Sequence, residues 1–318
     1  MGTNQDPNIY LLLRALNKFM KLLRKHLPTG RVIVIAFVAL FGVAAAYYQQ
    51  QIQTFTAGKA AGITLQTPNG TFLPIVQLGR AVTPAAVFTA DSSCLTLIAK
   101  QHHGQPEWNS LIVPPGFTYS VVLADGSLVR LNAGSRLKFP SVFGPEKREV
   151  YLEGEAYFEV QSDANRLFIL HSGLADVTVL GTTFNINSYS NRTRVSLVSG
   201  EVVINAKNKI VQLKPGQEAT IDRQRGAVSV APFQSNITLA WMEGLQIFLD
   251  TPLRDICDVL ERMYNIRIHI DDAKLAATRY YAIVNRERPV QTFLQDLHAT
   301  KNVNSVVDAK GELHLTLQ

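Results

Sequence analysis

The pattern of apolar and polar positions divides the chain into regions of different character. Residues 32–48, VIVIAFVALFGVAAAYY, carry no charged side chain. At about 1.5 Å per residue this run reaches roughly 25 Å as a helix, near the lower limit for crossing a bilayer core. Upstream, Leu12, Leu16, Phe19 and Leu23 recur at helical spacing, with Arg14, Lys18, Lys21 and Lys25 on another face. This spacing predicts a basic amphipathic arm over residues 1–31 that lies on anionic headgroups or docks a partner through its apolar stripe. Tyr47 and Tyr48 suit the far interface, and the excess of basic residues before the run puts the N-terminus in the cytoplasm. A retained anchor fits better than a cleaved signal, because the preceding segment and the apolar run are both long for a signal peptide.

After the polar segment QQQIQTFTAGKAAG the period changes to two, in short runs broken by turn residues, and helical spacing is nearly absent until about residue 240. In YSVVLADGSLVRLNAGS, Val121–Leu123 and Leu128–Leu131 flank Asp125-Gly126, a pair suited to the positive backbone angles of a tight hairpin. The stretch YLEGEAYFEV, residues 151–160, raises a chemical question. On one strand Glu153 and Glu155 would lie about 6.6 Å apart, near the carboxyl separation of an inverting glycosidase. The same alternation also describes a half-buried strand, with Leu152, Ala156, Phe158 and Val160 inward and the glutamates in water, with no cleft between them. LEGEA, VSGEV and KPGQEA share a glycine, at Gly154, Gly200 and Gly216, ahead of a glutamate and a new strand. Such repetition favours a stacked all-β domain, a jelly roll or short β-helix, over a single catalytic strand.

Helical spacing returns at Leu253, Ile256, Cys257 and Leu260, behind Asp250-Thr251-Pro252 as a cap with Pro in the first turn. Thirty-seven residues on, Val290, Phe293, Leu294 and Leu297 repeat the stripe behind Pro289, and Val303 answers Ile266. Two βαβ-like repeats predict a small α/β domain whose sheet edges suit contact with another chain. The expected layout is an arm at 1–31, a transmembrane helix at 32–48, a linker and β-rich segment at 49–113, an all-β domain at 114–230 and the α/β domain at 241–318.

Charge changes this picture little. Of the net +6, the arm holds +5, from six basic side chains against Asp6. The remainder is nearly neutral, without the broad basic footprint that nucleic acid requires. Cys94 and Cys257 read as buried small hydrophobes rather than a disulfide or metal pair. His102-His103 has only Glu107 nearby, too few ligands for a metal, and Trp108 and Trp241 read as isolated packing residues. Nucleophile elbow, phosphate loop, dinucleotide fingerprint, C-x-x-C and H-E-x-x-H are all missing, so the reading is of a protein without catalytic residues, cofactor or metal.

The phrases LADGSLVRLNAGSRLKFP, REVYLEGEAYFEV, VTVLGTTFNINSY, VSLVSGEVVI and LKPGQEATI together resemble the FecR family of membrane-bound anti-sigma regulators, in its Bacteroidota form. LDTPLRDICDVLERMYNIRIHI is similar to that family's C-terminal domain, related to the short secretin/TonB N-terminal fold. The resemblance implies a single-pass inner-membrane protein with a cytoplasmic N-terminus and periplasmic domains. Its outer part would meet the signalling domain of a TonB-dependent transporter through residues of the C-terminal domain that the sequence does not single out. Its arm would control an extracytoplasmic-function sigma factor, with site-specific proteases acting on the anchor in many members. The arm is shorter than the family's several-helix cytoplasmic region and has no Trp: either its apolar face of Leu12, Leu16, Phe19 and Leu23 suffices for sigma contact, or the gene start is misplaced, or this member has lost or changed the cytoplasmic function. The other reading is a membrane-anchored structural, glycan-binding or glycan-acting protein.

Overall fold

The computed structural model describes residues 62–100, 106–207 and 209–317. The arm and the apolar run at 32–48 lie outside these residues; among the described residues no helix is long and apolar enough to cross a membrane.

The period-two region folds into two facing sheets between which the chain passes repeatedly. Strands β1 (Thr64–Gln66) and β2 (Phe72–Pro74) belong to the first sheet. One helical turn, α1 (Ile75–Leu78), leads to β3 (Arg80–Val82), β4 (Ala86–Ala90) and β5 (Cys94–Ala99) in the second. The first sheet then takes β6 (Trp108–Val113), and the second takes the hairpin β7 (Tyr119–Val122) and β8 (Leu128–Leu131). After β9 (Ser135–Pro140) and β10 (Lys147–Glu153) in the first sheet, β11 (Glu155–Glu159) crosses alone to the second. Four hairpins then alternate between the sheets, starting with the first: β12 (Leu167–Ser172) and β13 (Ala175–Val179), then β14 (Thr183–Asn187) and β15 (Arg192–Ser199). They close with β16 (Val202–Ala206) and β17 (Lys209–Leu213), then β18 (Gln217–Asp222) and β19 (Val228–Pro232).

The region is all-β, as its pattern predicts. Its hairpins stack side by side, and among the described residues of this region only β5 with β7 and β10 with β12 pair in parallel. Those parallel pairs arise where β6 and β11 visit the opposite sheet and the chain returns, one coil of a β-helix each time.

YLEGEAYFEV is therefore two strands on two sheets, which corrects its reading as one strand. Gly154 is the corner, at φ +103°. Gly200 and Gly216, also at positive φ, stand at two further crossings, after β15 and before β18. The shared phrase marks chain crossings. At Asp125-Gly126 only Gly126 has positive φ, because the loop is longer than a two-residue turn: Gly126 N–H donates to Leu123 and Leu123 N–H to Ser127.

Side chains from both sheets meet in one continuous core running from Leu65 to Ile221, so β1 to β6 are built into the same sheets as the strands that follow. Phe158 is fully buried, stacked on Phe184 at 5.0 Å and edge-on to Phe168 of the facing sheet at 6.2 Å. Each such phenylalanine contributes about 2–3 kcal/mol through the area it removes from water.

Helical turns at Ser235–Thr238 and Ala240–Glu243 lead into the C-terminal part. Here β20 (Leu245–Pro252), α2 (Leu253–Tyr264) and β21 (Ile268–Ile270) precede α3 (Ala273–Ala277). They are followed by β22 (Arg279–Asn285), α4 (Val290–Lys301), β23 (Val303–Val307) and β24 (Leu313–Leu317). Both predicted stripes are buried, and the repeat extends to the helix ends, where Asn265 and Asn302 take left-handed angles of +53° and +52°. The two units are not ordinary βαβ crossovers. Their first strands, β20 and β22, pair antiparallel as one sheet, while β21 and β23 flank β24 in another. Pro252 is itself the N-cap of α2, without a side-chain cap from Asp250 or Thr251.

Candidate functional site

The predicted sigma-contact face, Leu12, Leu16, Phe19 and Leu23, lies outside the described residues, as do His102 and His103. Among the described residues no cluster of histidine, cysteine, aspartate and glutamate could hold a metal ion. Cys94 and Cys257 are both free thiols.

The glutamates of the quoted stretch part company. Glu153 ends β10 on the exposed side, whereas Glu155 is only 6% exposed, against the expectation that both face water. Its face of the second sheet points outward, and the C-terminal part covers it. The Glu155 carboxylate accepts from Asn132 Nδ2 at 2.8 Å and Asn185 Nδ2 at 3.1 Å, and its own N–H donates to Ser135 Oγ at 3.0 Å. A carboxylate with both oxygens occupied beneath a neighbouring domain offers neither a nucleophile nor room for water. A glycosidase pair with Glu153 is not assembled here.

The two asparagines have a second role. A carboxylate only accepts, so each amide must turn its NH2 to Glu155 and its oxygen the other way. Asn185 Oδ1 accepts from Trp241 Nε1 at 3.3 Å, and Asn132 Oδ1 from Arg286 Nη2 at 3.5 Å. Along the sheet, Asn185 pairs with Ser196 and Ser196 with Glu218, whose carboxylate takes the Ser196 hydroxyl at 2.6 Å. A polar row on the outer face of the sandwich thus ends under Trp241 and Arg286.

Beside it, Tyr189 donates to the Ala133 carbonyl at 2.5 Å, and the Arg262 guanidinium sits 4.1 Å above its ring. Burial, and then the Glu155 charge, push the Tyr189 hydroxyl far above its ordinary range, so it stays a donor. The Arg262 carbonyl accepts from Gly116 N–H at 2.8 Å, so the end of α2 is fastened to the turn before β7. Burial lowers the pKa of Arg286, and neither arginine has a carboxylate within 4.0 Å among the described residues. The clamp therefore works through neutral acceptors and an aromatic face.

On β20 and β22 the face turned outward carries Ile247, Leu249, Tyr281 and Ile283, the last three 52%, 74% and 70% exposed. Phe248 and Val284 point the other way, into the domain. A recess of about 310 Å³, lined by Tyr264, Ile283, Val284, Pro289 and Phe293 among others, adjoins this face.

Of the tryptophans, Trp241 packs as expected, though in the clamp. Trp108 is less isolated than its sequence suggests: its ring meets Tyr151 at 5.4 Å, Tyr151 stacks on His171 at 4.7 Å, and Lys138 lies over both larger rings. These residues sit on neighbouring strands β6, β9, β10 and β12, a proximity that only strand order reveals. The clamp arginines carry no signal in the sequence. Asn132 and Asn185 carry a weak one, since asparagine is unfavourable within or beside a strand unless its amide is used.

The family model for FecR protein matches residues 111–203, and that for the FecR C-terminal region matches residues 246–311. Two crystal structures of a candidate anti-sigma factor from Parabacteroides distasonis are similar, each 27% identical with a TM-score of 0.61. Each alignment covers 66% of this chain and 99% of the other. No curated protein matches the chain. With the sandwich under one match and the clamped domain under the other, the chain belongs to the FecR family of sigma-factor regulators.

Proposed function

We propose that this regulator is anchored in the inner membrane by residues 32–48 and relays the state of a TonB-dependent outer-membrane transporter to an extracytoplasmic-function sigma factor. The arm at 1–31 is cytoplasmic and contacts the sigma factor through Leu12, Leu16, Phe19 and Leu23, while the two outer domains are periplasmic. Site-specific proteases cutting near the anchor would make the response irreversible.

The observation that carries this reading is the open face of Ile247, Leu249, Tyr281 and Ile283 on a domain clamped to the sandwich. A two-stranded sheet with apolar side chains outward is an incomplete layer, and a partner's strands or helix would complete it. The transporter's signalling domain is the partner assigned to that face. Because Trp241, Arg262 and Arg286 tie the same domain to the polar row around Glu155, docking strain reaches the sandwich rather than ending in a loose linker.

A photo-crosslinking amino acid at position 283 tests the contact in cells expressing the full chain. An adduct with the transporter that changes when substrate is supplied is the expected result. Adducts from control positions on the sandwich but none from position 283 would contradict it.

A further inference from the structure

We propose that the end of the sandwich built by β2, α1 and β3 rests on the lipid surface of the membrane that anchors the chain, a proposal that depends on the anchor reading above. At this end Phe72, Val76 and Val82 are 58%, 90% and 61% exposed. They are not scattered. β2 and β3 are the edge strands of the two sheets, α1 joins them directly, and Val82 pairs with Val87, which pairs with the exposed Ile98. The apolar surface continues from one sheet edge around the end to the outer face of the other sheet.

Three features assign lipid rather than protein to this surface. The first is charge: from residue 49, just beyond the apolar run, to residue 90 the chain contains no aspartate or glutamate, Arg80 is exposed beside the patch, and the next carboxylate, Asp91, is engaged by Ser93 and Cys94 in the β4–β5 turn. Anionic headgroups attract basic side chains and disfavour carboxylates, so a long carboxylate-free stretch fits a headgroup layer. The second is reach. Fifteen residues separate the apolar run from β1, the neighbour of β2, so the two can lie no more than about 50 Å apart along the chain. The third is edge geometry. β2 and β3 are three residues long, and Pro74 ends β2, so neither offers a ladder on which a second chain could build a strand. Phe72 and Val76 are suited to the acyl boundary, with Arg80 at phosphate level.

The test uses the full chain reconstituted in phosphatidylethanolamine and phosphatidylglycerol vesicles. An environment-sensitive fluorophore is placed through Val76→Cys, or through Ile210→Cys at the opposite end of the first sheet, in a Cys94→Ser background. Both positions are exposed, so neither change should disturb folding. Lipids bearing a headgroup nitroxide should quench the probe at 76 at least about threefold more than the probe at 210, as expected for a segment seated in the interface. Equal quenching at the two positions, with the chain resisting alkaline carbonate extraction, would overturn the lipid contact and leave the anchor standing. Release by carbonate would overturn both. Quenching at 76 by a nitroxide-labelled second copy, but not by lipid, would overturn the proposal in favour of self-association.

Discussion

The Arg148 guanidinium, enclosed between the two sheets, lies 2.9 Å from the Asp125 carboxylate. The same side chain donates to the carbonyls of Gln161, Arg166 and Leu180. One buried cation thus gathers the β7–β8 loop and the crossings on either side of the β12–β13 hairpin. Removing it leaves the buried Asp125 carboxylate without a counter-charge, held only by Ser127, and takes a donor from the carbonyls of Gln161, Arg166 and Leu180, the last of which keeps the Asp163 N–H. Arg148→Met should lower stability by about 3–5 kcal/mol, and Arg148→Lys by nearly as much, since an ammonium cannot reach the same fork of acceptors. Urea denaturation measures both, and a lysine variant as stable as the parent would refute the assignment.

The crossing glycines should rank by what surrounds them. At Gly154 a Cβ would stand 2.5 Å from Ser135 Oγ on top of an unfavourable φ, whereas at Gly216 nothing lies within 4 Å. Gly216→Ala should therefore cost about 1 kcal/mol from backbone strain alone, and Gly154→Ala about 2–3 kcal/mol or more. Equal losses in denaturant titrations would show that the close approach to Ser135 plays no part.

These two cases show how far the sequence could be read. Gly154, Gly200 and Gly216 were visible as a recurring phrase, because a crossing needs the same backbone angle each time. Which sheet follows each crossing was not, since a period-two pattern looks alike on either sheet. The burial of Glu155 is hidden for a related reason: its alternation assigns it to the outer face correctly, but burial there comes from Trp241 and Arg286, more than eighty residues away. The helix stripes of the C-terminal part were legible down to individual residues because helical contacts are local. The pairing of β20 with β22 was not, because it joins the two halves of the repeat.

The clamp can be followed through its own tryptophan. In a Trp108→Phe background Trp241 is the only indole and is 6% exposed. Arg262→Ala combined with Arg286→Ala removes a cation over Tyr189 and the donor to Asn132, contacts together worth about 1–3 kcal/mol. Trp241 emission should shift to the red and become accessible to acrylamide, while the sandwich still unfolds cooperatively. An unchanged spectrum would mean that the domain is held by other contacts.

Cys257 supplies a pH dependence with a definite sign. Enclosure on the buried stripe of α2, aided by the charges of Asp258 and Glu261, pushes its thiol from an ordinary 9.0 up to about 12. Above pH 9 the unfolded chain gives up a proton that the folded chain retains, so this group lowers stability as pH rises from about 9 towards about 12. Urea midpoints measured from pH 8 to 10.5 should fall less steeply for Cys257→Ala than for the parent. Parallel curves would remove Cys257 from the alkaline response. A disulfide-exchange reagent should likewise leave Cys257 unmodified until denaturant is added.

Transcription from the cognate sigma-dependent promoter, followed as the transporter's substrate is added to cells, would report the whole proposed relay at once. Tyr281→Asp combined with Ile283→Asp places two charges on the open face of β20 and β22, where substitutions of exposed side chains change stability by only about 0.5 kcal/mol each. The doubly substituted chain should accumulate normally and fail to pass on substrate loading, so that promoter activity no longer changes when substrate is added. A full, substrate-dependent response from that chain would contradict the assignment of this face to the transporter.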